Sequence, residues 1–114
     1  MKRDDTVYLQ HILDAIAKVE RYLLDVDEAS FLTTSLVQDG VIRQIEVVGE
    51  ATKHPSGELR RQYAHIPWDD IAGMRDMLIH HYFGVDLDKV WLTATEDLPV
   101  LQEELGGILR QLSA

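Results

Sequence analysis

Apolar residues recur at three- and four-residue intervals along almost the whole of this chain, and no apolar–polar alternation persists long enough to specify a strand. Residues three and four apart share one face of an α-helix, whereas a strand face needs period two. The pattern therefore restricts the chain to an all-α fold. The first stripe (Tyr8, Ile12, Ala15, Ile16, Val19, Tyr22, Leu23) predicts a helix over residues 6–25, capped by Asp5 or Thr6. The acidic turn Asp25-Val26-Asp27-Glu28 supplies a new cap, and a second helix is expected over residues 28–53. There Val37, Val41, Ile45 and Val48 make one stripe, while Leu36, Ile42 and Val47 lie off it. Apolar residues on two faces predict burial on two faces, a core on one side and a second subunit on the other. His54-Pro55-Ser56-Gly57 interrupts the pattern. A short helix over residues 58–64 follows, then a helix over 68–83 that opens behind Pro67 and is stopped by Gly84. The last segment, 86–112, reads as a helix or a pair, with Pro99 as a kink or in the first turn of a new helix after Asp97. The expected architecture is an up-down bundle of four to five helices in one domain over residues 1–114. A chain this short exposes much of its surface and gains from oligomerising, so a homodimer or larger assembly is expected.

Composition narrows the function. Twenty acidic side chains against eleven basic ones give a formal net charge of −9. A general nucleic-acid binder should be basic, because phosphates are held through Lys and Arg. Contact with RNA must then be confined to a small local site, and the acidic surface suits a basic partner protein. The absence of cysteine excludes disulfides, thiolate zinc sites and a cysteine nucleophile, in agreement with a reducing cytoplasm. No apolar run approaches the ~20 residues of a membrane span. Met1-Lys2-Arg3-Asp4-Asp5 has no apolar stretch behind it, so neither a signal peptide nor membrane attachment is expected, and the location is taken as cytoplasmic. His11, His54 and His65 lie on different elements and form no His-x-x-x-His or His-Glu-x-x-His pair, so neither a metal nor a cofactor is expected.

The chemistry concentrates between Ile66 and Asp86. On one continuous helix Ile71, Met74, Leu78 and Tyr82 line one face, and Arg75 falls within that apolar sector. An Arg there is costly to bury unless it is paired or opens onto a cleft; it can also snorkel over the core edge. On the opposite face Asp69, Gly73, Asp76 and His80 project together, with Gly73 open to close approach by another helix or a ligand. Asp76 and His80 are one turn apart, and a carboxylate beside an imidazole suits acid–base work near neutral pH or is simply a surface pair. Arg75 and His80 would point about 140° apart on a straight helix, so to meet on one phosphate they need a bend or a partner subunit. Glu46 and Glu50 are either a solvated face or a carboxylate pair, and Glu50 is positioned to neutralise Arg75. Arg60 and Arg61, just before the motif, are local candidates for RNA phosphate contacts or an exposed basic turn.

Arg75, His80 and Tyr82 together read R-x-x-x-x-H-x-Y, which resembles the signature of the HepT-like HEPN ribonucleases. The flanks agree: Gly49-Glu50-Ala51, Ile66-Pro67-Trp68, Val90-Trp91 and Leu98-Pro99. The resemblance implies a HEPN-like helical dimer and a metal-independent endoribonuclease, the toxin of a bacterial toxin–antitoxin pair. It implies His80 as acid–base group, Arg75 as phosphate holder, and Asp76 in a polar position where the family often has Asn. An Asp can orient His80 but adds negative charge beside a phosphate. His81 satisfies a looser Arg-to-His spacing, whereas His80 gives H-x-Y with Tyr82. The implied antitoxin is a nucleotidyltransferase of the MNT type that AMPylates Tyr82. A different class fits the acidity and Asp76: a non-catalytic helical dimer that acts as adaptor for a nucleotidyltransferase.

Overall fold

The computed structural model describes residues 3–80 and 84–113. Over them the chain is all-α apart from one two-stranded ladder. The first helix, α1, spans Arg3–Tyr22 and buries Leu9, Ile12, Ile16 and Val19. It starts and stops earlier than the periodicity predicts. Asp5 is not its cap but lies within it, almost fully buried, and accepts hydrogen bonds from the backbone N–H and the hydroxyl of Ser56, both at 2.7 Å. At the other end Asp25 takes a left-handed φ of 60°, which a helix cannot continue through.

The single helix expected over 28–53 is two helices, α2 (Glu28–Thr33) and α3 (Ser35–Thr52). Thr34 between them is extended. Local side chains take the carbonyls that a continuing helix would use: Thr34 donates to Ser30, Thr33 to Ala29, and the Gln38 amide to Phe31. Hydroxyl residues compete with the backbone in this way, and three stand in succession here. The break turns Phe31 into the core, with its ring centroid 5.4 Å from that of Trp91. Asp27 caps α2, and the backbone N–H and hydroxyl of Ser30 hold its carboxyl below the ordinary carboxylate range. Along α3, Val41, Ile45 and Val48 are buried. Val37, Ile42 and Val47 pack partly against the same core, while Leu36 is 82% exposed.

α4 (Gly57–Gln62) is capped by Ser56. After the motif region comes α7 (Leu87–Leu92), capped by Asp86. A π-helical turn over Thr93–Asp97 joins it to α8 (Leu98–Ser113). Pro99 thus sits in the first turn of a new helix. Proline cannot donate to the carbonyl four residues back and its ring crowds that carbonyl. The wider turn before it accommodates this, with the Leu98 N–H reaching Thr93 instead. α8 buries Leu98, Leu101, Leu105 and Ile108 against α1. α1, α3 and α8 are the long members of the bundle, and the motif region fills the remaining side of α3. No helix among the described residues is long and apolar enough to cross a membrane.

Candidate active site

The helix expected over 68–83 is the largest departure from the sequence reading. It consists of α5 (Trp68–Ala72), Gly73, α6 (Met74–Leu78), and then an extended pair, β1 (Ile79–His80) with β2 (Gly84–Val85). The strands are antiparallel, with Ile79 opposite Val85 and His80 opposite Gly84. Two local causes are evident. Gly73 is a poor helix residue and sits at the end of α5. Beyond Leu78 the sequence is β-branched and aromatic, closed by Gly84 at φ +78°, a conformation glycine adopts freely. The Asp86 N–H then closes on the Leu78 carbonyl at 2.8 Å.

Three expectations change with this break. Asp76 and His80 are not one turn apart on a helix, because α6 ends between them. The face of Asp69, Gly73, Asp76 and His80 is therefore not a single helical face. Nor does the angle of about 140° between Arg75 and His80 apply, since it assumed one straight helix. What the fold does instead is carry Arg75 on α6 and His80 on the strand that follows at once. Tyr82 and the alternative histidine, His81, lie outside the described residues.

Ile71 and Leu78 are buried as expected and seat this segment on the core. Arg75 is not buried with them. Its side chain is half exposed, and its Nε donates to Glu46 Oε2 of α3 at 3.1 Å. The neutralising acid is thus Glu46 rather than Glu50. Glu50 instead faces Lys53 at 3.2 Å and His54 at 3.9 Å. Each of the two carboxylates thus faces a different basic partner. Asp76 is exposed.

The close approach expected at Gly73 occurs at Gly49. A Cβ on Gly73 would meet nothing nearer than 3.5 Å, but one on Gly49 would sit 3.2 Å from the Ala72 carbonyl oxygen and 3.4 Å from that of Ile71. The end of α5 is therefore pressed against α3. This sets the height of Arg75 over Glu46, one turn before Gly49 on the same helix.

Arg60 and Arg61 are placed differently from each other. Arg60 folds back over the end of α3 and donates to the carbonyls of Thr52, Lys53 and Pro55. Its guanidinium is thereby committed to unpaired helix-end carbonyls. Arg61 is exposed. Among the other histidines, His65 lies 3.6 Å from Glu104, while His11 and His54 meet across the ring of Tyr8. Among the described residues no group of three or more His, Asp or Glu side chains is disposed to hold a metal ion.

Sequence reasoning missed Glu46 as the partner of Arg75, and it missed the groove that Glu46 lines. This groove, about 600 Å³, runs between α1 and α3 from Tyr8 and His54 to Lys18 and Arg43. One signal was present: Glu46, Glu50 and His54 follow at four-residue intervals, which places Glu46 and Glu50 along one edge of α3 and His54 just past its end.

Comparison with known proteins agrees with the motif. The family model described as "Ribonuclease HepT-like" matches residues 12–108. The chain is 46% identical over 112 residues to a protein of Methanocaldococcus jannaschii named "Gamma-glutamylcyclotransferase and putative RNase", covering 98% of this chain and 50% of that relative. The chain thus spans about half the length of that relative. It is 41% identical over 102 residues to the "Probable ribonuclease HepT" of Thermococcus cleftensis, covering 90% of this chain and 93% of that one. A second Methanocaldococcus jannaschii relative, named a "Putative RNase", is 40% identical over 97% of this chain and 96% of its own. No solved structure matches the chain. With an all-α fold, an Arg75–His80 motif at the break of its helix, and a family match over most of its length, the chain belongs to the HepT-like ribonuclease family.

Proposed function

We propose that this chain is a metal-independent endoribonuclease and the toxin of a toxin–antitoxin pair, acting as a homodimer or larger assembly on RNA bound in a cleft between subunits. The observation that carries this reading is Arg75: a half-exposed cation on α6, followed directly by the strand bearing His80, in a chain of the HepT-like family. An Arg left open at the surface, on the helix just before the strand that carries His80, is available to a phosphate, as a buried structural Arg is not.

Cleavage would run through the 2′-hydroxyl. His80 accepts its proton as the 2′-oxygen bonds to the adjacent phosphorus. The bond from phosphorus to the 5′-oxygen breaks, and that oxygen is protonated as it leaves. A 2′,3′-cyclic phosphate and a 5′-hydroxyl end result, with no water consumed in the step. Arg75 holds the phosphate and offsets charge on its oxygens as they crowd the phosphorus. To do so it exchanges Glu46 for the phosphate or shares itself between them. Asp76, exposed on α6 beside Arg75, adds a carboxylate at this position at some cost in phosphate affinity. Arg61 is the better placed of the two preceding arginines for a second phosphate contact, because Arg60 is held on the backbone. Control would come from an MNT-type nucleotidyltransferase that AMPylates Tyr82, next but one to His80, and so blocks the cleft with bulk and charge. The site of action in this reading is the cytoplasm.

The test is cleavage of an end-labelled single-stranded RNA by the purified chain in EDTA, with intact mass confirming an unmodified Tyr82. Wild type is expected to cleave, and Arg75→Ala and His80→Ala to lose at least 100-fold in rate, within the usual contribution of a general acid–base or oxyanion-stabilising group. Equal cleavage by His80→Ala transfers the role to His81. No cleavage by the unmodified chain favours the adaptor reading, for which the specific observation is the pairing of Arg75 with Glu46 next to Asp76.

A further inference from the structure

The ribonuclease reading above needs a place for the bases of the strand, and the surface outside the motif offers one. On the groove between α1 and α3, the ring of Tyr8 lies almost parallel to that of His54, with centroids 4.8 Å apart and planes inclined by 17°. His11 meets the edge of Tyr8 at 6.2 Å. The His54 side chain is 48% exposed, so the stack keeps an open surface. On a chain of net charge −9, two cations, Lys18 and Arg43, line this groove beside Asp14, Glu46 and Glu50, and Arg75 reaches Glu46 from α6.

The cations are not scattered. Tyr8 lies against His54, and Tyr22 lies against the position of Gly40, so α1 and α3 run antiparallel. That register brings Lys18 and Arg43 to the end of the groove where Glu46 meets Arg75. The aromatic stack lies at the other end, about three helical turns or ~15 Å from Lys18 and Arg43. One end is suited to phosphates and the other to a ring.

The geometry points to this groove as a nucleotide-binding channel of the ribonuclease: an unpaired base extends the Tyr8–His54 stack, and the backbone leads from it to Lys18, Arg43 and Arg75. Stacking on aromatic faces tolerates any base and favours purines by ring area, while the cations track the backbone. A helix-clamping role for Tyr8 and His54 would hold them together equally well, but it predicts no effect on RNA.

The experiment is anisotropy of labelled oligo(A) and oligo(U) in EDTA, in a His80→Ala background so that the strand stays intact, with steady-state cleavage in the wild-type background alongside. His54→Ala is expected to weaken oligo(A) binding on the order of 5-fold or more. It should raise KM by a similar factor at unchanged kcat, the signature of lost uniform binding. Tyr8→Phe, which keeps the ring, should bind as wild type, and Tyr8→Leu should fall with His54→Ala. Oligo(A) should bind more tightly than oligo(U), and the difference should shrink in His54→Ala. If the chain cleaves RNA but His54→Ala and Tyr8→Leu keep wild-type affinity and KM, the channel is wrong and the ribonuclease reading stands. If RNA binds in a stack-dependent way without cleavage by the wild type, the channel stands and the ribonuclease reading falls. Absence of both binding and cleavage overturns both.

Discussion

At the scale of single residues, the interactions that decide this structure are polar groups whose partners lie far away in sequence. Arg75 and Glu46 are separated by 29 residues that include the end of α3, α4 and α5, and Asp5 and Ser56 by 51 residues. Periodicity marked Arg75 as anomalous, since a cation in an apolar sector needs an explanation. It could not say which acid answered it, because Glu46 and Glu50 are both on α3 and only the height of α6 over α3 separates them. Asp5 was legible only as a cap. Its actual role is tertiary: buried in α1, it satisfies the N–H and the hydroxyl of Ser56 and so ties the start of α1 to the turn between α3 and α4. Asp5→Ala is expected to destabilise the fold by about 2–3 kcal/mol, because a charge-assisted bond is lost and the Ser56 N–H is left without a partner. Asp5→Asn, which retains an acceptor for that N–H, should lose less. Urea unfolding of the three proteins checks this, and an Asp5→Ala midpoint equal to wild type would show that the pair contributes nothing net.

At the scale of elements, the long helices and the breaks marked by Pro55 and Pro99 were readable, and two other breaks were not. α1, α3 and α8 carry strong apolar stripes, and most of the stripe residues join the core, whereas Tyr22 of the α1 stripe is exposed. The failures fall where apolar spacing continues through a point at which the backbone does not. Thr33-Thr34-Ser35 divides α2 from α3 through side-chain bonds to carbonyls, and Gly73 with the aromatic run after Leu78 divides the motif segment. A helical spacing survives such breaks because a turn can return side chains to the same core. The packing of the motif segment depends on Gly49, where α5 presses its last carbonyls onto α3. Those carbonyls are backbone and cannot swing aside. Gly49→Ala should gain up to about 1 kcal/mol in helix propensity and lose about 1–3 kcal/mol in strained packing, for a net loss of stability. By lifting α6 it should also reduce RNA cleavage several-fold. Gly73→Ala, whose Cβ has room, should leave both stability and cleavage near wild type or slightly improved. Thermal melts and single-turnover cleavage of the two variants separate a positional requirement at Gly49 from a general need for glycine in this region. Equal behaviour of the two would remove that requirement.

At the scale of the whole molecule, shape and charge bear on assembly. The extents of 43 × 31 × 20 Å describe a slab about two helices thick, and such a body leaves broad faces uncovered. Met77 and Val100 are more than half exposed beside an apolar cleft between α5–α6 and α8, and Leu36 and Leu24 are more exposed still. The proposed dimer would cover part of this apolar surface, and it raises the question whether Arg75 and His80 of one subunit act on the same phosphate. The break after Leu78 matters to that question, for it removes the angular obstacle that a straight helix would impose. Mixing inactive chains decides it. Suppose Arg75→Ala and His80→Ala are co-expressed with different tags and the mixed dimer is isolated. If each site takes Arg75 from one subunit and His80 from the other, one of the two sites in the mixed dimer contains both wild-type residues, and activity returns although each parent is inactive. If each subunit uses its own pair, every site lacks one residue and the mixed dimer stays as inactive as its parents. Recovery of cleavage is the expected outcome. Its absence from a mixed dimer of confirmed mass would place the complete site on a single chain and reduce the dimer to a scaffold.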